Sequence, residues 1–402
     1  MTKGVGGNSF DEALASLSDM TSGVQPIANS EFQARIETAQ RLMAEQNISA
    51  LYLHAGTSLY YFTGMRWRGS ERMVGAMLLP SGPPIFIAPA FEKGTLEQFM
   101  LINGAVVTWE EHESPYGLPA KIMAEAGIVN GAIGLDEATP FFVSNGIALA
   151  SPEFNYINGA AITAACRMIK SEAELALMTR TKEMTLAVHK ATASMLREGM
   201  STAEVGDFID AAHRKVGAPK GSYFKIILFG PDSSYPHGVK TPKPLEDGDM
   251  VLIDTGCQLH DYISDITRSY VFGTPSDKQR RVWTAEKAAQ AKAFDAAQIG
   301  VRCGDVDLAA RAELELRGFG PGYETPGLPH RTGHGIGLDI HEWPYLNWGD
   351  DTKLQPGMCF SNEPMICLYG EFGVRLEDHF YMASDGPVWF TEPSKSIDDP
   401  FG

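Results

Sequence analysis

Three histidines, His330, His334 and His341, fall within twelve residues of the segment PGLPHRTGHGIGLDIHEWP, threaded between glycines and prolines. A single histidine on such a loop usually reads as structural. Three suit a ligand or proton-transfer site if acids are brought to them. Acids stand out in two places: MVLIDTGCQLHDYISDITRSYVF carries Asp254 and Asp265, and EPMICLYGEFGVRLED carries Glu363 and Glu377. Both stretches read as β-hairpins. A turn centred on Leu259–His260 sets Asp254 opposite Asp265, and a turn around Gly370 sets Glu363 opposite Glu377. Directly opposed Cβ atoms lie roughly 4.5–5.5 Å apart, where like charges are destabilising. One cation, or a pair, offsets both repulsions. The alternative is a register one residue off, which sends one acid of a pair to the other face. Four carboxylates and one imidazole suit hard to borderline divalent ions such as Mn, Co, Fe or Zn. Two such ions roughly 3.5–4 Å apart can share one hydroxide and polarise a carbonyl, which is hydrolytic chemistry. No GxSxG elbow competes. Cys257 lies among turn and strand residues without a basic activator in sequence, and reads as packing.

Positioning these groups takes a framework, and the chain supplies two. From Ser30 a helical pattern, FQARIETAQRLMAEQNI, leads into the strand ALYLHAG and then into alternating strand and helix signals. Past Cys166 the texture changes. A long amphipathic helix capped by Ser171, a shorter helix and strand material are followed by the same plan again from Asp277. This is a weak internal duplication, carried by pattern more than by identity. The expected division is a loose polar arm over 1–29, an α/β domain over 30–165 and a catalytic domain over 166–402. The net charge of −17 argues against a nucleic-acid partner. Five scattered cysteines read as reduced thiols. The N-terminal stretch has no apolar signal core and no segment reaches membrane-span length, so the expected location is the cytoplasm.

The motifs DTG (254–256), YISDITR (262–268), GHGIGLDIHE (333–342), NEPM (362–365) and GVRLED (373–378), in this order, resemble those of the pita-bread metallopeptidases. That family includes methionine aminopeptidase, aminopeptidase P, prolidase and the metal-free creatinase. The resemblance covers about 170–395. The preceding unit is similar to the N-terminal domain of the creatinase/prolidase branch, and the whole chain looks most like bacterial Xaa-Pro dipeptidases. The implied fold is an α/β N-terminal domain followed by an α+β pita-bread domain with pseudo-twofold symmetry. The implied site holds two divalent metal ions (Mn, Co or Zn), with Asp254, Asp265, His334, Glu363 and Glu377 as ligands. His237, His330 and His341 would face the substrate, His341 at the oxyanion, and Arg375 would brace the carboxylates. Glu363 would act as proton carrier, with His341 and His237 beside it in catalysis. A homodimer is implied by the resemblance alone.

Two departures bear on the substrate. Met365 makes the family's EPG an EPM, as in methionine aminopeptidases. Many prolidases also carry an arginine after the histidine segment to grip the dipeptide carboxylate, and WPYLNWGDDTKLQPGM has none. The candidate replacement is GMRWRGSER, and within it Arg72; the plainer reading of that stretch is a solvated loop. The expected activity is cleavage of Xaa-Pro dipeptides by a metal-bridging hydroxide. The alternatives are an aminopeptidase P acting on longer peptides, a creatinase-like amidinohydrolase, or a non-catalytic peptide-binding protein.

Overall fold

The computed structural model describes residues 1–401, which form two compact units, residues 27–167 and residues 1–26 with 168–401. In the first unit, helix Asn29–Glu45 buries Phe32, Ile36, Ala39 and Met43, the three-to-four spacing of an amphipathic helix. It belongs with a six-stranded mixed sheet. The strands are β1 (Ile48–His54), β2 (Gly75–Leu78), β3 (Ile85–Pro89), β4 (Ala105–Trp109), β5 (Ala132–Leu135) and β6 (Asn155–Asn158), in the spatial order β4-β3-β2-β1-β5-β6. Tyr52, Met77, Ile87, Ile133 and Ile147 are among its core residues.

The second unit repeats one plan. Helices Glu172–Met195 and Thr202–Lys215 precede β7 (Ser222–Phe229), β8 (Met250–Leu259), β9 (Tyr262–Ile263) and β10 (Ile266–Val271). Helices Asp277–Ala296 and Cys303–Leu316 precede β11 (Gly333–Gly335), β12 (Glu342–Leu346), β13 (Cys359–Asn362), β14 (Met365–Leu368), β15 (Phe372–Arg375), β16 (Asp378–Ala383) and β17 (Gly386–Trp389). Three of these helices open on full capping boxes, Ser171/Glu174, Ser201/Glu204 and Ser276/Gln279, which satisfy orphan N–H groups at each start.

Residues 1–26 are not the loose arm expected from their polarity. Helix Phe10–Ala15 is closed by a Ser9/Glu12 box, and Phe10 packs edge-on against Phe208 at 5.0 Å. Val5 and Ala13 are buried, and Leu14, Leu17 and Met20 pack against the same core. Phe10, Ala13 and Leu14 on this helix and Leu17 and Met20 beyond it make these contacts, and small and charged neighbours disguise them in the sequence.

The two acidic hairpins differ in how they meet expectation. In the first, Leu259 pairs with Tyr262 around His260 (φ 47°) and Asp261 (φ 69°). Two positive φ values in a two-residue loop are the type I′ geometry that suits strand twist. The turn therefore sits one residue later than expected, and Asp254 pairs with Thr267 rather than with Asp265. The slip in register is two residues. An even slip keeps both aspartates on one face, as diagonal rather than direct neighbours. The second hairpin pairs in the expected register: Met365 faces Arg375, and on the far side Asn362 faces Asp378. Glu363 and Glu377 sit between these matched pairs. The hairpins are then tied together. Glu377 N–H donates to Thr267 O (3.1 Å), and Arg268 donates to Glu377 O (2.9 Å) and to Asp378 Oδ1 (2.6 Å).

Gly256, between the two aspartates, has no room for a side chain, because a Cβ there would stand 1.7 Å from Ser264 O. Gly256→Ala should cost about 1–3 kcal/mol in urea denaturation, as overpacking does. An unchanged midpoint would show that the hairpin backbone yields.

Candidate metal centre

Asp254 and Asp265 stand on the first hairpin, Glu363 and Glu377 on the second, and His334 on β11 between glycines. One ligand atom each of Asp265, His334 and Glu377 lie within 4.8 Å of one another. His334 Nε2 is 3.1 Å from Glu363 Oε1 and 3.7 Å from Asp265 Oδ2. Its Nδ1 is 3.0 Å from Gly335 O. A proton on Nδ1 would leave the Nε2 lone pair for an ion, the arrangement that metal-binding imidazoles use; without the ion, Nε2 is placed to donate to Glu363 Oε1. Ser361 Oγ accepts from His334 N–H (2.9 Å) and donates to Glu363 Oε1 (3.2 Å), fixing imidazole and acid together.

The charges do not balance internally. Arg375 Nη2 donates to Asp254 Oδ2 at 2.6 Å, and its Nε donates to Thr267 Oγ1 at 3.0 Å. Thr267 Oγ1 donates onward to Glu377 Oε2 at 2.8 Å. Asp254 Oδ1, Asp265 Oδ1 and Glu377 Oε1 are buried without a hydrogen-bond partner. Burial and the neighbouring carboxylates push Asp265 and Glu377 well above the usual carboxylate range. Burial also raises Asp254, against the pull of Arg375. At Glu363 burial acts the same way, but the His334 hydrogen bond and charge, with His330 and Arg375, outweigh it and hold the group low. Orphaned buried oxygens in an all-oxygen-plus-imidazole set fit hard to borderline divalent ions.

The three expected substrate histidines line one cleft of about 450 Å³ together with Glu363 and Arg375. The His341 ring is 4.2 Å from that of His334, and burial, then His334 and Arg331, lower its pKa to about 4. His330 is lowered by burial as well; its Nδ1 is 2.7 Å from Arg331 O and its Nε2 has no partner. Both rings are therefore neutral near pH 7. Glu342 organises the loop that carries His341. Its Oε1 accepts from Leu338 N and Asp339 N, each at 2.9 Å, and its Oε2 accepts from Lys170 Nζ at 3.0 Å. Arg72 lies on the first unit, where Glu111 spans its guanidinium at 3.0 and 3.1 Å and Glu71 adds a third contact. Sequence reasoning passed over Thr267 and Arg268, which link the hairpins. The signal was their place in YISDITR, beside a named ligand.

A duplicated α+β unit enclosing an acid-and-imidazole centre, preceded by an α/β domain, defines a metallohydrolase. The model of metallopeptidase family M24 matches residues 176–384, and that of the creatinase/prolidase N-terminal domain matches residues 35–169. The chain belongs to metallopeptidase family M24, and membership implies divalent metal ions. A putative dipeptidase of Bacillus subtilis is 30% identical over 365 residues, 90% of this chain and 99% of the relative. The Xaa-Pro dipeptidase of Pyrococcus furiosus is 28% identical over 363 residues, with coverage of 90% and 99%. Among solved structures, a prolidase from Thermococcus sibiricus matches with a TM-score of 0.80 at 29% identity, over 90% of this chain and 97% of that one. No helix among the described residues is long and apolar enough to cross a membrane.

Carboxyls raised above their unfolded values bind protons that the unfolded chain has already released. Between the ordinary carboxylate range and the raised values, the metal-free fold therefore loses stability as pH rises. Ions that require the deprotonated ligands reverse this. After chelator treatment, Tm should fall between pH 5.5 and pH 8 more steeply for the wild type than for Asp265→Asn. Mn(II) should raise the wild-type Tm more at pH 8 than at pH 5.5. Parallel slopes and no metal effect would remove these acids from a metal site.

Proposed function

We propose that this protein is a dinuclear-metal Xaa-Pro dipeptidase. The observation that carries the reading is the clustering of three buried carboxylates, His334 and the partly exposed Glu363, with three orphaned oxygens, beside a cleft that Glu363 lines together with His330 and His341. The names of the relatives point to the same substrate class. The ligands in this reading are Asp254, Asp265, His334, Glu363 and Glu377. Mn, Co or Zn as the metal and a homodimeric, cytoplasmic protein belong to the same proposal.

When bound, the ion pair supplies Lewis-acid polarisation of a carbonyl and brings the pKa of a water toward neutrality. The chain does the rest. Glu363 takes the proton of the attacking water and passes it to the departing proline nitrogen. That nitrogen belongs to a tertiary amide and needs a delivered proton to leave. The His341 ring, uncharged before reaction, donates a hydrogen bond to the oxyanion as charge develops on it. His237 and His330 border the same cleft and orient the substrate. Arg375 keeps Asp254 turned into the site, so that the carboxylate does not swing toward solvent.

With Mn, Co or Zn added back in turn, the protein should hydrolyse Ala-Pro and related dipeptides and bind about two ions per chain by mass spectrometry. Glu363→Gln should lower kcat roughly 10²–10⁴-fold, the usual weight of a general base. Cleavage of Ala-Pro-Xaa tripeptides with no action on dipeptides would replace this reading with aminopeptidase P. No metal uptake would sink both.

A further inference from the structure

A peptidase restricted to dipeptides must bind the carboxylate one residue beyond the scissile bond, and a buried or half-buried cation does this best. Two guanidinium groups line the cleft, those of Arg331 and Arg375. Arg375 is consumed by Asp254 and Thr267. Arg331 is half-buried, and among the described residues no carboxylate pairs with it. Its guanidinium lies over the Tyr345 ring, 4.3 Å from the centroid. Stacking on a face occupies the plane of the guanidinium and leaves its N–H edges free for a bidentate acceptor.

The backbone around Arg331 is clamped on both sides by one buried ion pair. Arg311 Nε holds Asp307 Oδ2 at 2.8 Å. Arg311 also donates to the carbonyls of Leu328 (3.0 Å) and His330, and Asp307 Oδ1 accepts from Thr332 N (3.0 Å) and Thr332 Oγ1 (2.7 Å). His330 and Thr332 flank Arg331 directly, so the cation is presented from a fixed main chain. Arg331 lines the same cleft as His341, the oxyanion histidine of the proposed reaction.

We propose that Arg331, stacked on Tyr345, binds the free C-terminal carboxylate of the substrate and so sets the preference for dipeptides. This rests on the Xaa-Pro dipeptidase reading. It also moves the role from Arg72, whose fork is already spanned by Glu111.

The test compares Ala-Pro with Ala-Pro-amide on metal-loaded wild type, Arg331→Gln, Arg331→Lys and Arg72→Gln. Arg331→Gln should raise KM for Ala-Pro roughly 10- to 100-fold, the weight of a charge-assisted pair, with a far smaller effect on the amide. The wild-type preference for the free carboxylate should then collapse. Arg331→Lys should recover part of it, having charge without the fork. Equal effects on both substrates, or collapse in Arg72→Gln instead, would overturn the assignment. If the wild type cleaves no Xaa-Pro dipeptide, the functional reading falls by itself. The carboxylate site is then decided by isothermal titration with L-proline and L-prolinamide. Proline-selective binding lost in Arg331→Gln supports it, and binding indifferent to the variant refutes it.

Discussion

Mutual repulsion among four clustered carboxylates, three of them buried, is the constraint on which the catalytic unit depends. Two unit charges 4 Å apart interact by about 4 kcal/mol at the effective dielectric of a protein surface, and by more in a drier site. A domain is stable by only about 5–15 kcal/mol in total. Left ionised, two uncompensated pairs would consume most of that margin; without cations, the raised Asp265 and Glu377 hold protons instead. One guanidinium, Arg375, reaches Asp254, and three carboxylate oxygens are left bare. The centre is thus built to be completed by cations rather than to be stable without them.

The surrounding structure keeps the acids from relaxing apart. Thr267 sits between Arg375 and Glu377, donating to the acid and accepting from the guanidinium through one hydroxyl. Arg268, fully buried, crosses from the first hairpin to Glu377 O and Asp378. Neither residue can release its partner without leaving a buried polar group unpaired, which costs roughly 1–3 kcal/mol per group. The duplicated plan brings one acidic hairpin from each half to this seam, and these cross-links make the two hairpins one object.

The acids and histidines were legible because hairpin parity survives errors. Placing the first turn one residue early slipped the register by two, yet Asp254 and Asp265 remained on one face. The left-handed His260–Asp261 pair lacks the Asn-Gly signature of a type I′ turn, so the sequence alone pointed to the wrong centre. The first 26 residues were misread for a related reason: their apolar stripe is diluted by glycine, serine and acid. The bonds of Thr267, Arg268 and the Asp307–Arg311 clamp were not legible, because the groups they hold lie 17 to 110 residues away in the chain. Periodicity reports which face a residue occupies, not what meets that face.

The ladder through Glu363 and Glu377 has a further consequence. Matched pairs lie on both sides of the two glutamates, so their alignment is set by strands and not by the loop at Gly370. That loop carries Tyr369, which borders the cleft. The tip can therefore be re-sequenced, lengthened or given a new shape while the acids stay aligned. A residue of the cleft rim and the clustered acids sit on the same hairpin yet can vary independently, which gives one scaffold room to reshape its cleft.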